Sequence, residues 1–195
     1  MKDRTIKIIT AGFIAFIMIA STLGFVMNFS GEALGGGTVY YNGYNFKPLQ
    51  SGQNGYSFKA KDIELRTNFL PAEVSNIALD PEIVKLIKGT PMVRITSNFS
   101  SNYSDLIAYS AFELNNGLKP LGVYTQTGFT EKNPYNTEVI SCANATQFVP
   151  VLYFSSSDSL KIGLNSSCII ASSTDAPGFV KLKDRLIYGL YGVIG

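Results

Sequence analysis

Histidine is absent from all 195 residues, and that absence excludes more chemistry than any motif suggests. Without an imidazole there is no Ser-His-Asp triad, no Cys-His dyad and no His-ligated zinc or iron centre. Cysteine occurs only twice, too few for a structural zinc site or an iron–sulfur cluster, and no Cys-x-x-Cys redox pair exists. No Asp-x-Asp-x-Asp-Gly run offers a calcium loop, and no Ser-x-x-Lys offers the penicillin-binding signature. Neither a metal nor a cofactor is expected.

Charge is missing over a long stretch as well. No charged residue interrupts Ile8 to Met27, and its only polar side chains are Thr10, Ser21 and Thr22. Twenty helical residues at ~1.5 Å each reach ~30 Å, the thickness of a bilayer's hydrocarbon core. Lys2, Arg4 and Lys7 precede the stretch with only Asp3 against them. The positive-inside tendency then holds residues 1–7 in the cytoplasm and places everything after Met27 outside. The run is long for the h-region of a cleaved signal peptide, usually ~7 to 15 residues; Ala20-Ser21-Thr22 and Thr22-Leu23-Gly24 are weak cleavage sites, and Gly31-Glu32-Ala33 fits but comes late. A retained signal anchor is predicted. Ala11-Gly12-Phe13 sits as a prepilin cleavage site would, but Ile17 stands where a bacterial-type pilin helix carries glutamate.

Removing the stub leaves 13 basic and 13 acidic residues, so the exterior part is formally neutral. It lacks the basic footprint that phosphate-backbone binding requires, which sets nucleic acid aside. Residues 28–38, with Gly35-Gly36-Gly37, form a flexible linker, and residues 39–195 suffice for one domain of ordinary size.

Within that domain Asn42-Gly43-Tyr44-Asn45-Phe46-Lys47 is echoed by Asn54-Gly55-Tyr56-Ser57-Phe58-Lys59. Tyr44, Phe46, Tyr56 and Phe58 stand two apart in pairs, which predicts two strands of a hairpin sharing an aromatic face. That face either packs inside or offers a stacking platform for sugar rings, and the core placement is expected. Alternation restarts in the opposite phase at Ile63, suggesting a bulge or bend near Lys61-Asp62. Asp62 and Glu64 share a strand face, as paired carboxylates or as two solvated acids. Asp80-Pro81 opens a short helix that ends at Gly89, and Met92 to Ser97 reads as a strand carrying Arg94. Ser104 is expected to cap a helix over 105–116, and Val123 to Thr127 is a strand.

Val149–Phe154 and Leu160–Ile170 read as a hairpin around a serine-rich turn. If Phe154 opposes Leu160, Cys168 comes level with Thr146, close enough for Cys142 to meet it. Outside the cell such a pair forms a disulfide, worth about 3 to 4 kcal/mol for its loop length. Asp175 caps a last helix over 177–193, with Phe179, Leu182, Leu186 and Leu190 on one side and Lys181, Lys183, Asp184 and Arg185 expected off it. Its apolar end, too short to cross a membrane, is expected to pack on the domain's own sheet. Asn28, Asn98, Asn102, Asn144 and Asn165 begin Asn-x-Ser/Thr sequons, against about two or three expected by chance, and are glycan acceptors in a host that glycosylates.

The basic stub, the span, Tyr44-x-Phe46, Cys142-Ala143-Asn144-Ala145-Thr146 ahead of Val149-Pro150-Val151, and Ser167-Cys168-Ile169-Ile170 before a closing helix together resemble uncharacterised single-span surface proteins of small-genome archaea. No catalytic motif is among these residues, so the resemblance implies location and architecture alone. The expected fold is α+β: a transmembrane helix, then one extracytoplasmic domain with a mixed or antiparallel sheet packed by two or three helices. The expected function is binding or structural association at the cell envelope, with an envelope protein or a glycan as partner; no oligomeric state is assigned. Two alternatives stand beside it. A histidine-free hydrolase would use Ser or Thr with Lys, or paired carboxylates, in a concave pocket. An accessory subunit of a membrane complex would instead leave an apolar face open.

Overall fold

The computed structural model describes residues 37–50 and 54–195; the predicted span Ile8–Met27 and most of the 28–38 linker lie outside them. Among the described residues no helix is long and apolar enough to cross a membrane. Val39–Gly195 form one compact α+β unit with two sheets, where one was expected.

The first sheet is built from two tight hairpins. Asn42 and Gly43, at φ 44° and 85°, join β1 (Val39–Tyr41) to β2 (Tyr44–Pro48). Lys61 and Asp62, at φ 49° and 67°, likewise join β3 (Tyr56–Ala60) to β4 (Ile63–Thr67). Two residues of positive φ make the turn whose twist matches that of paired strands. Of the bulge or bend expected near Lys61-Asp62, the phase change at Ile63 is therefore the bend, a tight turn at those two residues. Ala60 pairs with Ile63 and Phe58 with Leu65, so both strands keep one inner face. The order is β1-β2-β3-β4, antiparallel throughout.

After the short helix α1 (Pro71–Val74), Asp80 accepts the Glu82 N–H at 2.9 Å and starts α2 (Pro81–Lys88). A parallel crossover follows: β5 (Met92–Ser97), α3 (Ser104–Leu118), β6 (Tyr124–Phe129). Ser104 is the first residue of α3 rather than its cap; Ser101 Oγ accepts the Tyr103 N–H one turn earlier.

The predicted 149–170 hairpin does not form. Asn165-Ser166 turns the chain, with Ser166 at φ 56°, and splits the second run into β8 (Lys161–Asn165) and β9 (Cys168–Ser173). Strand β9 inserts beside β7 (Val151–Ser156), parallel to it, and leaves β8 on the edge, giving the order β6-β5-β7-β9-β8. The side chains explain the choice. A strand inside a parallel sheet is covered on both faces and must be apolar on both. Val151-Leu152-Tyr153-Phe154 and Cys168-Ile169-Ile170-Ala171 meet that requirement, whereas β8 begins and ends in exposed Lys161 and Asn165.

Helix α4 (Ala176–Tyr191), capped by Asp175 accepting the Gly178 N–H at 2.8 Å, fills the space between the sheets. Tyr188 meets Phe46 and Phe58 of the antiparallel sheet at centroid distances of 5.8 and 5.6 Å, and Phe179 meets Phe154 of the mixed sheet at 6.1 Å. At Gly117 of α3 an added Cβ would stand 3.3 Å from Ile187, which marks a close approach of α3 and α4. Contact on several sides buries residues that the helical stripe placed outside: Lys183, Asp184 and Arg185 are all 2% exposed or less. Tyr188, Leu190, Tyr191 and Val193 are buried too, so the apolar end of α4 packs within its own domain.

The far face of the mixed sheet is covered by residues 130–150, which return from β6 to β7 with no strand of their own. Ile140, Cys142 and Ala145 of this cover lie on Val151, Tyr153, Cys168 and Ile170.

Candidate functional site

A concavity of about 810 Å³ lies between α3 and the outer part of the mixed sheet. Helix α3 turns Ala108 and Ala111 towards it, and β6 answers with Thr125 and Thr127. Small side chains on both facing elements leave the gap open. One end is closed by three rings: Phe99 packs edge-on to Phe129 at 5.3 Å and to Tyr135 at 5.9 Å. Phe112 and Tyr135 are 60% and 72% exposed at its rim. Thr125 donates to Asn115 Oδ1 at 2.8 Å, and the hydroxyls of Ser97, Ser104, Thr127 and Thr137 also line the walls. Among the described residues Asp105 is the single carboxylate of the lining, and no lysine, arginine or cysteine takes part. The cleft opens by the carboxyl ends of parallel β5 and β6, the side on which open α/β sheets hold ligands.

A second polar cluster is buried at Lys183 and Asp184 and reaches the surface at Asn68 and Tyr109. The Lys183 ammonium contacts Asp184 Oδ1, and both side chains are fully buried. Asp184 Oδ2 accepts the backbone N–H groups of Asn68 and Phe69 at 2.9 and 2.8 Å. Lys183 donates to Asn68 Oδ1 at 2.9 Å, to which the Tyr109 hydroxyl also donates at 3.0 Å. Burial pushes the Asp184 carboxyl up to about 6 against the pull of Lys183 and the two N–H groups. Burial likewise raises the Tyr188 hydroxyl, which is hydrogen-bonded to Thr67 Oγ1 at 2.8 Å and to the Phe69 carbonyl. Arg185 donates to the Ile77 carbonyl at 2.7 Å and to the Gly195 oxygen at 2.9 Å, while its buried Nη1 has no partner among the described residues.

The residues singled out from the sequence are distributed differently. Phe46 and Phe58 are buried and Tyr44 and Tyr56 half-buried, with Tyr44 donating to the Tyr191 carbonyl at 3.1 Å, so these rings are core and form no platform. Asp62 and Glu64 are both exposed, and Glu64 lines a hollow of about 340 Å³ with Arg66 and Glu113. Arg94 lies 3.6 Å from Glu138 and donates to Gln126 at 3.0 Å. Asn98, Asn102, Asn144 and Asn165 are all exposed; Asn28 lies outside the described residues. Cys142 and Cys168 are joined in a disulfide, with Cα atoms 5.2 Å apart. The route to that bond differs from the expected hairpin, because Cys168 sits level with Val151 of parallel β7 and Cys142 reaches it from the 130–150 cover.

The cleft itself was missed. Its signal is the pairing of Ala108 and Ala111 with Thr125 and Thr127, which acquires meaning only when α3 and β6 are known to face one another. Among the described residues no group of three or more acidic or cysteine side chains is arranged to hold a metal. The chain matches no family model, no curated protein and no solved structure.

Proposed function

We propose that the chain is a membrane-anchored, extracytoplasmic binding protein of the cell envelope, and that the cleft between α3 and β6 takes its ligand. The observation that carries this is the cleft's lining: exposed rings at Phe112 and Tyr135, a row of hydroxyls and one amide, with a single carboxylate and no cation. Aromatic faces with hydroxyl and amide partners suit a neutral, polyhydroxylated chain, in which sugar C–H faces stack on the rings and hydroxyl groups exchange hydrogen bonds with Thr127, Thr137 and Asn115. A hydrolase would need a lysine or two carboxylates in that space. The buried lysine and the shifted carboxyl of this domain are instead closed off in the Lys183–Asp184 pair.

The test has two arms. Saturation-transfer NMR against neutral envelope oligosaccharides should show contact with the full chain in detergent, and Phe112→Ala with Tyr135→Ala should weaken affinity about tenfold for each stacking ring lost. Affinity unchanged in both variants removes the cleft from consideration. Carbonate extraction should leave the full chain in the membrane fraction, and recovery of intact protein in the soluble fraction refutes the anchor.

A further inference from the structure

The Lys183 ammonium touches both the carboxamide of Asn68 and the carboxyl group of Asp184; the amine and the carboxyl are fully buried and Asn68 is half-buried. Nζ of Lys183 is 2.9 Å from Asn68 Oδ1, and Asp184 Oδ1 touches the same Nζ. Lysine has only donors, so the amide oxygen must be the atom facing it. The Asn68 Nδ2 then points the other way, donating to the Asn54 carbonyl at 3.2 Å on the exposed side. Tyr109 donates to the same Oδ1 at 3.0 Å, where negative charge would collect if the amide carbon were attacked. Its ring also lies 5.8 Å from the ammonium.

We propose that this arrangement forms a covalent cross-link: Lys183 Nζ attacks Cγ of Asn68, Asp184 takes up the proton that the lysine must lose, and ammonia leaves. The lysine ammonium first passes a proton to the Asp184 carboxylate, which exposes the nitrogen lone pair. The carboxyl is already pushed up to about 6 by burial, which suits it to hold that proton. Attack makes the Nζ–Cγ bond and places the carbonyl electrons on Oδ1, within reach of the Tyr109 hydroxyl. Nδ2, which faces the hollow beside Asn54, takes a proton from solvent there, and the surplus proton on Nζ is returned to the same solvent past Oδ1 and the Tyr109 hydroxyl. The Cγ–Nδ2 bond breaks, the carbonyl reforms, and ammonia departs; taking up the last proton, it leaves as ammonium and returns Asp184 to its starting form. No oxidant or external co-reactant is consumed. Asn68 lines a hollow of about 350 Å³ with Asn54 and Tyr109, through which the small product escapes.

The amine needs no journey to reach its target, since it already bonds to the oxygen carried by the carbon it attacks. Proximity of this kind replaces a bimolecular step by an intramolecular one, the largest advantage a fold gives to a slow acyl transfer. The product ties the end of β4 to the central helix across 115 residues of sequence. This proposal stands apart from ligand binding at the α3–β6 cleft, and its test does not read that site.

Mass spectrometry of the full chain, with Cys142 and Cys168 reduced, decides it. The folded wild-type protein should be lighter than its sequence by one ammonia, and proteolysis should yield a branched peptide containing both Asn68 and Lys183. Asn68→Asp should lose water instead and arrive at the same final mass, while Lys183→Met and Asp184→Asn should retain full mass. The wild-type measurement suffices even where a variant does not fold. Full mass in the folded wild-type chain overturns the proposal, as does ammonia loss mapped to Asn68 without Lys183. Cross-linking that persists in Asp184→Asn overturns the part given to the carboxyl.

Discussion

Replacing both cysteines by alanine should destabilise the domain by about 3 to 4 kcal/mol, a figure that follows from the loop the bond closes. The sequence separation is 26 residues, and the chain-entropy relation gives about 3.5 kcal/mol at 25 °C for a loop of that size. Alanine is the better probe than serine, because Cys168 is 2% exposed beside Ile140 and Val151, and serine would add a buried hydroxyl. Domains of this size are typically stable by about 5 to 15 kcal/mol, so the double variant should remain folded at 25 °C with a clearly lower urea midpoint. The loss should also have a place. Residues 130–150 cover the sheet with few apolar contacts, so freeing Cys142 should let this cover open before the sheet does. Hydrogen exchange should therefore quicken first at Ile140 and Ala145, whose N–H groups donate to the Phe129 and Cys142 carbonyls at 2.8 and 3.1 Å. A shift below about 1 kcal/mol at unchanged m-value, or exchange that quickens uniformly, refutes this account of what the bond does.

Gly55→Ala should cost about 2 to 3 kcal/mol in urea melts, because φ is +135° there and a Cβ would stand 2.3 Å from the Thr67 carbonyl oxygen; a neutral substitution refutes the geometry at that turn. Tyr188→Phe should lower stability by about 1 to 2 kcal/mol, by stranding the Phe69 carbonyl and the Thr67 hydroxyl while keeping the ring contacts. The Asp184 carboxyl, raised to about 6, binds its proton more tightly folded than unfolded. Its contribution to stability is thus fully present below the ordinary carboxylate range near 4 and is lost as pH rises through about 6. A 13C titration of that carboxyl with its midpoint below the ordinary value reverses the sign and refutes the assignment.

What could be read in advance was local. Asp80-Pro81, Asp175 and Gly89 mark helix ends through backbone chemistry that acts over three or four residues, and the strands around Phe46, Phe58 and Ile95 follow from alternation over five. The partner of β7 could not be read so, because a strand's neighbour depends on which other segment is apolar on both faces. Serine-rich 155–159 looked like a hairpin turn; the competing signal, Asn165-Ser166, lay inside what seemed one continuous strand. The burial of Lys183, Asp184 and Arg185 was hidden for a related reason. A single apolar stripe predicts a helix lying on one surface, but α4 is enclosed on several sides, and its charged residues are satisfied by Asn68, Phe69 and Ile77, more than a hundred positions earlier. The disulfide was foreseen from its setting, while the path that brings the two sulfurs together was not.

The central position of α4 bears on the order in which the polypeptide is made. Both sheets precede it in the chain, so a nascent chain extended only to Asp175 already contains every strand but has nothing to fill the space between Phe46, Phe58 and Phe154. Those rings wait uncovered until synthesis has passed Tyr188. Ribosomal stalling or truncation just ahead of residue 176 would thus release two complete, sticky sheets rather than a slightly shortened domain, and the demand for a holding chaperone is concentrated in the interval before the final helix emerges.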